Sequence, residues 1–115
     1  MEIQIDDKHI LIDNVGLNIQ YDTVLEGQKI KVDELYDISK SEKDSLFILA
    51  EKVLNKKSYV VETLSCYAGQ EFSLQVRTSD DTLNFQESSI KSWRRIMPEL
   101  EEIHKIIKQE TEFQD

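Results

Sequence analysis

One apolar stripe near the C-terminal end constrains this chain more than any other stretch. Between Ser88 and Lys108, the residues Ile90, Trp93, Ile96, Met97, Leu100, Ile103 and the pair Ile106–Ile107 recur at steps of three and four. That is the period of one α-helical face, so these side chains need a common apolar surface to lie on. Trp93, the only tryptophan, has the most apolar area to remove from water. Pro98 falls within the stripe without disturbing its spacing. Inside a helix a proline loses a hydrogen bond and clashes one turn back, at a cost of ~3 kcal/mol or more. In a first turn it is tolerated. Glu99, Glu101 and Glu102 directly after it suit the positive end of a helix dipole. The sequence therefore predicts a break at Met97–Pro98 and two helical segments lying on the same surface.

Alternating segments supply that surface. Ile3 and Ile5, then Ile10 and Ile12, alternate with polar residues around the turn Asp6-Asp7-Lys8. Val15, Leu17, Ile19 and Tyr21 continue on the opposite parity, which implies a bulge or tight turn at Asp13-Asn14. Ile30 and Val32 read as a further strand after a turn at Gly27. Asp33 to Ile38 is ambiguous, because Leu35 and Ile38 also fit one helical turn. Ser41-Glu42-Lys43-Asp44 has the form of a helix start, and the apolar spacing predicts a helix from about Glu42 to Lys56. Val60, Leu64 and Cys66 share one parity, as do Phe72, Leu74 and Val76 after Ala68-Gly69, so a hairpin is expected there. Leu83 and Phe85, beyond a turn at Asp80-Asp81, allow one more short strand.

The expected fold is α+β: a mostly antiparallel sheet of five or six strands with two or three helices packed on one face. At 115 residues the chain suits one domain, residues 1–110, with 111–115 fraying as a polar tail. The lone Cys66 cannot form an internal disulfide, the acidic start is unlike a secretory signal, and no apolar run approaches ~20 residues. A cytoplasmic location is the expectation.

No motif points to chemistry. Glu101-x-x-His104 occurs once, where di-iron bundles need it twice, and His104 reads as an exposed or edge residue. Cys66 falls on the core parity of its strand, where a thiol is inert. Gly16, Gly27 and Gly69 are isolated, so no phosphate-cradling loop is formed. The chain is read as a non-enzyme without cofactor or metal.

Charge points instead to contact. There are 23 acidic and 14 basic residues, a net of −9, distributed on both sides of Lys57. Such a field repels phosphate backbones and anionic membranes and steers basic proteins inward. The leading expectation is a stoichiometric inhibitor that occludes a basic partner, such as an immunity protein, an antitoxin or a phage-type blocker neutralising a toxin or nucleic-acid enzyme. Its contact acids would be the turn residues Asp6, Asp7, Asp13, Asp22, Asp33, Glu34, Asp37, Asp80 and Asp81, with Tyr21, Tyr36 or Tyr67 as anchors. The alternatives are a single-stranded nucleic-acid module using Lys91, Trp93, Arg94 and Arg95, and a secretion or assembly chaperone. The chain would act as a monomer or homodimer, any dimer using the stripe as a seam.

Overall fold

The computed structural model describes residues 1–13, 16–57, 69–77 and 82–111. Six antiparallel strands, β1 (Glu2–Ile5), β2 (Lys8–Ile12), β3 (Leu17–Leu25), β4 (Gln28–Tyr36), β5 (Gln70–Arg77) and β6 (Thr82–Ile90), form one sheet in the order β4-β3-β2-β1-β5-β6. Two helices, α1 (Lys40–Leu54) and α2 (Pro98–Glu110), accompany it, giving an α+β fold. The predicted hairpin around Gly69 and Cys66 itself fall partly or wholly outside the described residues; within them, β5 pairs with β1 and β6.

Alternation decides which side of the sheet is covered. Ile3, Ile5, Ile10, Ile12, Leu17, Ile19, Phe72, Leu74 and Phe85 point to one face and are buried. Onto that face α1 sets Leu46, Ala50 and Val53, and α2 sets Leu100, Ile103 and Ile107. Where the parity changes between β2 and β3, Asp13 N–H donates to the Gly16 carbonyl and Gly16 N–H donates to Asp13 Oδ1, while Asn14 and Val15 lie outside the described residues. A Cβ on Gly16 would stand 2.6 Å from the Tyr36 carbonyl oxygen, so the close approach of these strands requires glycine.

Three boundaries differ from the sequence reading. Asp33 to Tyr36 continue β4 rather than turning into a helix, and Leu35 projects from the uncovered face. The cap of α1 is Ser39, not Ser41: Ser39 Oγ accepts from Glu42 N–H at 3.1 Å, and Glu42 reaches back to the Ser39 backbone. Ser88 to Ile90 end β6 instead of opening a helix. A bulge there, with Ser89 at φ 54°, adds one residue opposite Gln70–Phe72 and so turns Ile90 into the core.

The C-terminal stripe is a buried one. Trp93–Arg95 form a single 3-10 turn, Met97 is extended, and α2 starts with Pro98 in its first turn. Trp93 is fully buried: its ring stacks on Phe72 at 5.1 Å, and its backbone N–H donates to Gln70 Oε1 at 3.1 Å. His104 is not at an exposed edge, as its spacing suggested, but 5% exposed and edge-on to Trp93 at 5.5 Å. The apolar seam is thus used on the protein's own sheet. The helices run antiparallel, joined at one end by Lys56 Nζ to Glu99 Oε1 at 2.6 Å and at the other by Glu42 and Glu110.

Candidate functional surface

The face of the sheet turned away from the helices is polar across all six strands. Reading the registers from edge to edge, one transverse row is Asp33, Gln20, His9, Gln4, Ser73 and Gln86. The next is Leu35, Asn18, Leu11, Glu2, Gln75 and Asn84. Side-chain amides dominate both rows. His9 Nδ1 lies 3.4 Å from Glu2 Oε1, and Asp33 accepts hydrogen bonds from the amides of Asn18 and Gln20.

At one end this face runs onto an arm. β3 and β4 are nine residues each, whereas β2 has five and pairs only with Leu17–Gln20 of β3. From Tyr21 to Val32 the hairpin therefore has no third strand beside it among the described residues. The turn Glu26-Gly27, with φ of 52° and 80°, has the positive angles of a type I′ turn, whose twist matches the flanking strands. Val24, Leu25 and Ile30 are 65%, 61% and 38% exposed on this arm.

The candidate acids fall into separate places. Asp7, Asp22 and Asp33 line one shallow depression of about 440 Å³ at the base of the arm, together with His9, Gln20 and Lys31. Asp6 occupies the same turn as Asp7 and is clasped to β5: its N–H donates to the Glu71 carbonyl at 2.8 Å, and its Oδ1 accepts from Glu71 N–H at 3.0 Å. Asp13 and Asp37 are exposed at the opposite end of the strands, so they share no surface with that depression. Glu34 accepts from the Tyr36 hydroxyl and faces the helix side of the sheet. Asp80, Asp81 and Tyr67 lie outside the described residues. Tyr21 and Tyr36 are half-buried against the core, which limits them as anchors.

The alternative basic patch loses its aromatic: Trp93 is enclosed between Phe72 and His104 and has no ring face for a base to stack on. Arg94 and Arg95 line a groove whose other wall carries Glu101 and Glu102.

Lys56 beside Glu99 holds that carboxyl below the usual range. The hydrogen bond between Glu42 and Glu110 lowers the first and raises the second. Burial lowers the N-terminal amine of Met1, which donates to the Ile12 carbonyl at 3.0 Å. All of these lie at helix ends or at the start of the sheet. Among the described residues no three His, Cys, Asp or Glu side chains converge as a metal set would, and no helix is long and apolar enough to cross a membrane.

Sequence reasoning missed the arm. Its signal was present in Val24-Leu25 beside Glu26-Gly27, but only the shortness of β1 and β2 leaves those residues without a neighbour. Comparison with known proteins found no matching family model, no matching curated protein and no matching solved structure.

Proposed function

We propose that this protein is a small acidic binding module, not an enzyme, that inhibits a basic protein partner stoichiometrically by covering its working surface. The observation that carries this reading is the β3–β4 arm. Exposed apolar side chains rimmed by polar and charged ones mark protein-contact sites, and on the arm Val24 shares the uncovered face with Asp22 while Leu25 and Ile30 stand exposed on the other face. The carboxylates of Asp7, Asp22 and Asp33 at the arm's base supply the attraction for a basic partner, and the apolar tip supplies the desolvated contact that holds it. Asp6 adds to the same end of the molecule. An immunity-type or antitoxin-type role, neutralising a nuclease or other enzyme with a basic cleft, follows from this charge and shape, and the cytoplasm is where it would act.

The test is capture from the native host with two baits, the wild-type protein and a Val24→Ser/Leu25→Ser double variant. The reading expects one basic partner retained by the wild type and lost by the variant, with an association rate that falls as salt is raised. A partner held equally by both baits, at a rate indifferent to salt, contradicts it. Capture of a secreted client released on delivery would move the role from inhibitor to chaperone.

A further inference from the structure

β4 closes the described sheet on one side, with β3 as its neighbour. The two-residue turn at Glu26-Gly27 makes Leu25 and Gln28 a hydrogen-bonded pair, and hydrogen-bonded and non-bonded pairs then alternate along the hairpin. Gln28, Ile30, Val32, Glu34 and Tyr36 therefore direct their backbone groups to β3. Lys29, Lys31, Asp33 and Leu35 direct theirs outward, and on the uncovered face these same four carry the side chains. An exposed edge of this length is a template for another strand, and charges usually serve to blunt it. Here the charges have a different consequence.

We propose that β4 pairs antiparallel with β4 of a second copy of this chain, about a twofold axis at Val32, so that Lys31 of each copy faces Asp33 of the other. The register follows from elimination. A strand meeting its own copy antiparallel must join outward-facing residues to outward-facing residues, which fixes the parity. A two-residue slip one way puts Lys31 opposite its own copy, and a slip the other way puts Asp33 opposite its own copy. Both place like charges in direct contact, which disfavours them. The register centred on Val32 instead joins Lys31 to Asp33 twice and Lys29 to Leu35 twice. Four residue pairs then exchange two backbone bonds each, about eight in all. The amides of Asn18 and Gln20 on β3 keep the Asp33 carboxylate on the uncovered face, and its remaining lone pairs can accept from Lys31 of the second copy.

The product is one continuous sheet of doubled width with all helices on one side. The two polar faces merge, and the two arms point in opposite directions, each tip still open. This inference does not depend on the partner proposed above, because it is read in the pure protein.

Sedimentation equilibrium of the full chain from about 1 μM to about 1 mM, the range in which weak reversible contacts dissociate, is the test. The wild type is expected to be a monomer–dimer system. K31E and D33K, each placing like charges across the axis, are expected to weaken dimerisation by about tenfold or more. In an equimolar mixture of the two variants, every pair across the axis again joins a carboxylate to an ammonium, so the mixed dimer is expected to form. Far-ultraviolet circular dichroism confirms that each variant is folded, and the double swap K31D/D33K provides the rescue within one chain. A wild type monomeric throughout overturns the proposal. So does a dimer that both single variants leave intact, or a mixture and a double swap that both stay monomeric.

Discussion

The Trp93 indole lies parallel to the Phe72 ring, with centroids 5.1 Å and planes 7° apart. Phe72 belongs to β5, and Trp93 to the short turn that leads into α2, so this pair fixes the C-terminal segment on the sheet. His104 meets the indole edge-on from α2 itself. Trp93 thus joins β5 to α2, beside the core contacts that both helices make themselves.

Trp93→Ala is therefore expected to destabilise the fold by about 3–5 kcal/mol, the usual range for emptying a large aromatic site. A Trp93→Leu/Phe72→Leu double-mutant cycle in urea should give a coupling of about 0.5–1.5 kcal/mol for the stacked rings. A coupling of zero would mean that the rings merely share a cavity.

The cap of α1 separates two serines that look equivalent in sequence. Ser39→Ala removes the capping box and should cost about 1 kcal/mol, whereas Ser41→Ala, an exposed substitution, should stay within about 0.5 kcal/mol. Urea midpoints of the two variants measure the difference directly.

Gly69 faces Ser89 so closely that a Cβ would stand 2.3 Å from the Ser89 carbonyl carbon. Gly69→Ala should therefore disturb the β6 bulge, cost about 1–3 kcal/mol and shift the amide resonances of Ser88 to Ile90. At Gly27 a Cβ meets nothing within 4 Å, so any loss there comes from its φ of 80° alone.

The two ends of the helix pair should respond to pH differently, the Lys56–Glu99 end in one direction and the Glu42–Glu110 pair in both. Glu99 has a folded-state pKa lowered by Lys56, so its contribution is complete above the ordinary carboxylate value of about 4.3 and is lost as pH falls through the lowered one. Glu42 behaves in the same way. Glu110 has a raised pKa, so its contribution is present at low pH and disappears as pH rises through that value. Urea midpoints measured from about pH 3 to about pH 8 should show Glu99→Gln reducing the acid-side loss. Glu110→Gln supplies a permanent amide donor to Glu42 and should remove the loss on the rising side.

The sheet was legible where alternation is strict. Ile3 and Ile5 on odd positions, Ile10 and Ile12 on even ones, and Leu17 and Ile19 on odd ones again mark three strands and the two changes of parity between them. Pro98 was legible because its missing N–H tolerates few positions. The chain misled where two periods coincide. Leu35 and Ile38 are three apart, yet Leu35 is on an exposed strand face and Ile38 is buried beyond the strand's end. Ile90 is three from Trp93, yet it enters the core through a bulge. His104 flanks the helical stripe, and only the position of the Trp93 ring draws it inside. The arm was least legible of all, since nothing in Val24 or Leu25 records that the neighbouring strands are short. The sequence reading took the contact acids as turn residues, but Asp22, Asp33 and Glu34 lie within β3 and β4, and the division of Asp7 and Asp13 between two ends of the sheet is set by strand direction.

The account stands on the arm as the element of contact. Hydrogen–deuterium exchange of the full chain, alone and saturated with its captured partner, reads this most directly. New protection is predicted over Tyr21–Val32 and the Asp6-Asp7 turn, with the outer faces of α1 and α2 unchanged. Protection confined to α1 and α2, with the arm exchanging as in the free protein, would contradict it.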